Sequence, residues 1–132
     1  MRSKIPAARL AQSIHKRLVK WPLFDLRCSI RCSATGDHLS ASYGNRWAEH
    51  FDIEIIDKTF YINGIGIDRE HRGKGQGAAL YELLEQVARD MDCDRIVMSA
   101  SGKTPSGEDR GDWLRRKFGY VKTGGISVVK AL

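Results

Sequence analysis

The stretch from His71 to Leu80, HRGKGQGAAL, places three glycines within five positions and then runs directly into helix-forming residues. A strand ending at Ile67, a loop with Gly73, Gly75 and Gly77, and a helix starting near Gly75 together describe an anion site. The first amides of a helix have no intrahelical acceptor, and glycines let a phosphate come close to them. Each charge-assisted backbone contact contributes roughly 1.5 to 3 kcal/mol, so two or three hold a pyrophosphate without any side chain. Arg72 and Lys74 add positive charge at the rim, whereas a turn that merely capped a helix would need one glycine or two. A Walker loop requires Ser or Thr after Gly-Lys, and here Gly75 follows Lys74. Gly73-x-Gly75-x-x-Ala78 satisfies the dinucleotide pattern, but the strand before it is half of a hairpin, and only 55 residues follow Gly77.

The elements around this loop alternate in period. Residues 4 to 21 read as a helix, with Pro6 in its first turn and Ala7, Leu10, Ala11, Ile14, Leu18 and Trp21 on one stripe, ended by Pro22. From Leu26 the pattern is strand-like, with Leu26, Cys28, Ile30 and Cys32 on one face, followed by a turn at TGDH and a short segment LSASYG. Phe51, Ile53 and Ile55 alternate with Asp52 and Glu54. Asp57-Lys58 then makes a tight connection into a strand running from Thr59 to about Ile67. Strict alternation puts Tyr61, Asn63, Ile65 and Ile67 of that strand on one face. Gly64 and Gly66 weaken it, which points to a bulge or to the close approach of another group. Leu80, Leu83, Leu84, Val87 and Met91 mark a strong helix. Arg95 to Ala100 reads as a buried strand, SGKTPSGEDRG as a polar loop, DWLRRKFG as a helix closed by Gly119, and the remainder as two strands broken at Gly124-Gly125.

At 132 residues the chain suits one core, so residues 1–132 are expected to form a single domain. No apolar run approaches the roughly 18 residues of a membrane span and the first residues lack a secretory apolar block, which predicts a cytoplasmic protein without a membrane partner. Three cysteines fit no closed disulfide framework. Cys28 and Cys32 on one strand would stand about 13 Å apart. Neither has a neighbouring pair at zinc-ligand spacing, so no metal is expected. Residues 1 to 33 hold eight basic side chains against Asp25 alone. A solvated helix face accounts for this, as does contact with an acidic partner, nucleic acid or cofactor phosphates.

The segment IGIDREHRGKGQGAALYELLEQVA resembles the signature of the GNAT superfamily, the acyl-CoA-dependent N-acyltransferases, with Arg72, Gly75 and Gly77 at the positions of its loop motif. The resemblance extends over roughly residues 48 to 132, through the preceding hairpin, RIVMSA, and the closing WLRRKFGYVKTGGISVVKAL. It implies an α/β (α+β) fold: a mixed, mostly antiparallel central sheet flanked by helices and splayed between the fourth and fifth strands. Acetyl-CoA would be the co-substrate, with its pyrophosphate on the amides of Arg72, Gly73, Lys74, Gly75, Gln76, Gly77 and Ala78. Its pantetheine arm would pair with the backbone of Ile65, Gly66 and Ile67. The implied activity is an N-acetyltransferase acting by direct attack of a primary amine in a ternary complex. The amine belongs to a protein lysine or N-terminus, or to a small molecule attracted by Asp52 and Glu54. The alternative is a non-catalytic CoA-binding or nucleic-acid-contacting module of the same fold.

An alkyl ammonium must lose a proton to attack, and the departing thiolate needs one. Where some members carry a Glu base this chain has Tyr61, which can relay a proton through water. Where many carry a Tyr acid, alignment through Phe118-Gly119-Tyr120 puts Arg115, which cannot act as an acid but can stabilise a thiolate or grip a phosphate. Glu54 and Ser99 are the other catalytic candidates. An amide near Ile67 would stabilise the oxyanion. A surface or structural role is the plainer account of His71, Glu54 and Ser99, and a core or wall role that of Trp21, Trp47 and Trp113. Monomer and homodimer both remain open.

Overall fold

A computed structural model describes residues 4–21, 29–36, 38–44, 50–66 and 75–132. The chain runs α1 (Lys4–Leu18), β1 (Ser29–Thr35), β2 (His38–Gly44), β3 (His50–Ile56), β4 (Thr59–Gly66), α2 (Gln76–Asp90), β5 (Arg95–Ser99), α3 (Arg110–Phe118), β6 (Val121–Gly124) and β7 (Ser127–Ala131). Seven strands form one sheet in the order β1-β2-β3-β4-β5-β7-β6, antiparallel throughout except for the parallel β4–β5 pair. The expected mixed sheet and its splay between the fourth and fifth strands are therefore present.

The apolar stripes determine which face is covered. Leu10, Ile14 and Leu18 of α1 and Leu80, Leu84 and Val87 of α2 are fully buried against Phe51, Ile53, Phe60, Ile62, Ile96, Met98 and Val128 of the sheet. Each such side chain stabilises the fold by about 1.5 to 3 kcal/mol relative to exposure. Helix α3 joins the same side: Leu114 is buried, and Trp113 and Phe118 pack on Tyr81 of α2 with centroids 5.7 and 5.9 Å away. On the opposite face Arg31, His38, Asp52 and Asn63 are exposed, and Glu54, Tyr61, Val97 and Val129 half-buried. Its buried exception is Thr59, whose hydroxyl accepts from Arg95 Nε at 3.0 Å.

The expected hairpin connection is a two-residue turn in which both Asp57 (φ 51°) and Lys58 (φ 64°) are left-handed, the geometry whose twist matches the flanking strands. The segment LSASYG lies within β2. The last two strands break at Gly124 and Gly125 as expected, yet β7 inserts between β5 and β6. Cys32 and Cys93 are free thiols, and no cluster of metal-ligating side chains occurs among the described residues. Among those residues, no helix is long and apolar enough to cross a membrane. Pro22, Leu26, Cys28, Trp47 and the loop from Ile67 to Lys74 lie outside the described residues.

Helix α1 is clamped to α2 at both ends. Arg17 donates to both carboxylate oxygens of Asp90 (3.1 and 2.9 Å), Ser13 Oγ adds a third bond at 2.9 Å, and Arg9 reaches the Asp90 carbonyl and Asp92. At the other end the Trp21 indole donates to the Gln76 carbonyl at 3.2 Å, fixing the first residue of α2. Two cations of the basic N-terminal segment, Arg9 and Arg17, thus have internal partners.

Candidate active site

The site begins where β4 leaves β5. Their ladder runs from Thr59–Arg95 to Ile62–Met98 and stops. The next residue, Asn63, is an extra residue on β4: Ile53 pairs with Ile62 and Asp52 with Gly64, so a bulge sits between them. Beyond it β4 continues on β3 as far as His50–Gly66, while Ser99 of β5 pairs only with Ser127 of β7. The strands part at the bulge. The bulge also corrects the alternation expected from sequence, because the inserted residue turns Ile65 to the core side, opposite Phe51, and separates it from Tyr61.

Both sequence explanations for the β4 glycines apply, one to each. Gly64 adjoins the bulge, and nothing lies within 4 Å of where its Cβ would be. At Gly66 a Cβ would collide with the His50 ring, whose Nδ1 would lie at 2.6 Å. The approaching group is thus the protein's own imidazole.

A cavity of about 650 Å³ occupies the opening. Ile65 and Gly66 of β4 form one part of its wall, and Gly75, Gly77, Ala78 and Tyr81 a second. Gly75 is the N-cap of α2, with φ 80° and no side-chain cap. Among the described residues no acceptor takes the amides of Gln76, Gly77 or Ala78; the first helical bond in this turn is Ala79 N to Gly75 O at 3.1 Å. An uncapped helix N-terminus with its partial positive charge therefore borders an open cavity, which is what phosphate binding requires.

The third wall comes from the segment expected to be a polar loop and from α3. Lys103 to Asp109 closes as a small hairpin, bridged at its two ends, with Thr104 N donating to Glu108 O at 2.8 Å and Arg110 N to Gly102 O at 3.0 Å. Asp109 Oδ2 caps α3 by accepting from Asp112 N at 3.0 Å. That capping bond, with Lys122 assisting, holds the Asp109 carboxyl below the ordinary range. Arg110, Trp113 and Lys117 face the cavity from α3, and Lys103 and Ser106 from the hairpin. Burial pushes the Tyr81 phenol up, with the positive charge of nearby Arg110 opposing, so Tyr81 stays protonated at neutral pH.

A strand bulge, a parting between parallel neighbours and an uncapped helix N-terminus at its mouth now stand together, and the sequence agrees with them. The model of the GNAT acetyltransferase family matches residues 11–109. The chain belongs to that family. This GNAT chain also has the fold of an acetyltransferase from Bacillus cereus ATCC 14579, at 17% identity and TM-score 0.53 over 92% of this chain and 91% of that one. A Klebsiella pneumoniae protein assigned as an acyl-CoA N-acyltransferase superposes with TM-score 0.55 at 15% identity, covering 95% and 88% of the two chains. The PaiA N-acetyltransferase of Thermoplasma acidophilum, solved with coenzyme A, gives TM-score 0.50 at 14% identity over 70% of this chain and 58% of its own. No curated protein sequence matches the chain.

Of the cofactor residues expected in this GNAT domain, Ile65, Gly66, Gly75, Gly77 and Ala78 line the cavity. Gln76 is adjacent, with its carbonyl held by Trp21. Ile67, Arg72, Gly73 and Lys74, with His71, lie outside the described residues. The four catalytic candidates do not line the cavity. Tyr61 and Glu54 stand directly opposite each other on the other face of the sheet, with Ser99 also on that face beyond the end of the β4–β5 ladder. Both Glu54 oxygens are engaged, by His38 Nε2 at 2.6 Å and by Asn63 Nδ2 at 2.6 Å. Arg115 is exposed on the side of α3 away from Trp113 and Lys117. Of the cavity residues Tyr81, Lys103, Arg110, Trp113 and Lys117, sequence reasoning gave Trp113 a core or wall role and missed the others. The signal for Arg110 and Lys117 was present, since positions 110, 113 and 117 follow helical spacing and form one stripe.

Proposed function

We propose that this GNAT protein transfers an acetyl group from acetyl-CoA to a primary amine, by direct attack within a ternary complex. The observation that carries the reading is the set of unpartnered amides at Gln76, Gly77 and Ala78, open to the cavity at the point where β4 and β5 separate. The pyrophosphate binds those amides, and the pantetheine runs beside Ile65 and Gly66. Its sulfur end then points through the parting at Asn63, toward the face that carries Tyr61, Glu54 and Ser99. The cofactor and the acceptor thus approach from opposite sides of the sheet.

In the reaction the amine nitrogen forms a bond to the thioester carbonyl carbon and the carbon–sulfur bond breaks. The ammonium loses one proton to solvent through the Tyr61 hydroxyl, and the second nitrogen proton, shed as the carbon–sulfur bond breaks, reaches the departing thiolate through solvent. Positioning supplies most of the acceleration. Asp52, exposed and paired with Gly64 at the bulge, and Glu54 beside it give the acceptor side a negative character suited to a cationic amine. A protein lysine is the favoured acceptor, because that face is a broad sheet surface. The nucleic-acid alternative is weakened by Arg9 and Arg17, whose charges already face Asp90 and Asp92.

The test is an acyl-CoA turnover screen across lysine peptides, protein N-termini, polyamines and aminoglycosides, read as free thiol, beside thermal unfolding with CoA. Thermal stabilisation by CoA and thiol release with one amine class are expected. No shift in unfolding at millimolar CoA would remove the proposal, and stabilisation without turnover would identify a non-catalytic CoA-binding module.

A further inference from the structure

The cations around α3 divide into two sets. Arg116 pairs with Glu108 through two bonds of 3.1 and 2.8 Å, and Lys122 pairs with Asp112 at 2.6 Å and Asp109 at 3.4 Å. Every carboxylate of the hairpin and of the first turn of α3 is therefore already matched. Lys103, Arg110 and Lys117 are the remainder, together with Arg115, which is exposed on the side of α3 away from the cavity. Among the described residues none of these forms an ion pair, and Lys103, Arg110 and Lys117 line the cavity. Arg110 lies close enough to the Tyr81 phenol for its charge to act on it, and most of the guanidinium donors remain unused.

Three uncompensated cations on one wall of a cavity attract an anion there. This wall is distinct from the α2 amides, because it is built from α3 and the hairpin. The cavity thus offers two anion receivers, with the indole of Trp113 between Arg110 and Lys117 on the second. A ligand that satisfies both carries two separate phosphate groups on one aromatic nucleoside. Coenzyme A has this form: a pyrophosphate on the ribose 5′ oxygen, a single phosphate on the 3′ oxygen, and adenine. Dephospho-CoA differs only in lacking the 3′-phosphate.

We propose that Lys103, Arg110 and Lys117 form a receptor for the 3′-phosphate of CoA and make this protein select CoA over dephospho-CoA. The inference rests on the CoA reading above and adds to it which end of the cofactor sets specificity. Lys103 is held in register by the Lys103–Asp109 bridge, and α3 is anchored by its Asp109 cap and by buried Leu114, so the backbone that carries the receptor is in place before ligand arrives.

Calorimetric titration with CoA and with dephospho-CoA tests this on the wild-type protein, on Lys103→Ala/Lys117→Ala, and on Lys117→Arg. The unfolding midpoint of each unliganded variant verifies folding. The wild type is expected to bind CoA about tenfold or more tightly than dephospho-CoA, as charge-assisted phosphate contacts imply. The double variant should reduce that ratio to about threefold or less, mainly by loss of CoA affinity, whereas Lys117→Arg should retain it. Equal affinities in the wild type would overturn the receptor and leave the CoA reading standing. A preference that survives the double variant would also overturn it. If neither ligand bound, the CoA reading itself would fail, and the receptor with it.

Discussion

His50 lies where a side chain at position 66 would begin, so Gly66→Ala forces the ring to swing away. The expected cost is about 1 kcal/mol, and it should vanish in a His50→Ala background, which a double-mutant cycle on unfolding free energy would reveal. A cost that persisted without the imidazole would locate the strain elsewhere. Gly77→Asp probes the anion site from the opposite direction. A carboxylate in the first turn of α2 stabilises the helix by roughly 0.3 to 1 kcal/mol while repelling a phosphate. The midpoint of unfolding should therefore hold or rise as CoA affinity falls by about tenfold or more. At Tyr61 the relay is tested by Tyr61→Phe: unchanged rates at every pH would exclude it.

Between residue and fold stand the devices that shape the elements. Lys58 is left-handed in the β3–β4 turn without being glycine, and Lys58→Gly should raise stability by about 1 kcal/mol in denaturant titration. Asn63 is the extra residue of the β4 bulge. Its deletion lets the β4–β5 ladder run on, so a cooperative unfolding transition should remain while CoA-induced stabilisation disappears. The clamp between α1 and α2 gives a pH signature. Arg17 donates to Asp90 and holds its carboxyl below the usual range, with Ser13 assisting against a smaller opposing effect of burial. A depressed carboxylate stabilises the fold above about pH 4 and loses that contribution as pH falls through its lowered value. The unfolding midpoints of wild type and Asp90→Asn should accordingly differ near neutrality, begin to approach each other at about pH 4, and converge as pH falls through the lowered value of Asp90.

At the scale of the molecule, one sheet separates two chemistries: cations and amides around the cavity, and Asp52, Glu54 and Tyr61 on the opposite face. The three-glycine spacing, the hairpin with its Asp57-Lys58 turn, and the stripes of α1 and α2 were legible in the sequence. Their causes are local: backbone freedom, turn geometry and helical period act within a few residues. At Gly64 and Gly66 both causes that glycines inside a strand signal are present, a bulge and a close approach. The location of the bulge was not legible, because an extra residue is defined only against the partner strand, and Asn63 has no local mark of being unpaired. Nor was the insertion of β7 between β5 and β6, which depends on contacts between distant segments. The same holds for Lys103, Arg110 and Lys117. In sequence they are three cations among many, and what distinguishes them is that the neighbouring carboxylates bind Arg116 and Lys122 instead. The chain by itself determined its elements and the glycine-rich turn ahead of α2. Only the tertiary structure decided where the sheet opens and which charges remain uncompensated, because strand pairing and charge pairing are relations between residues far apart along the chain.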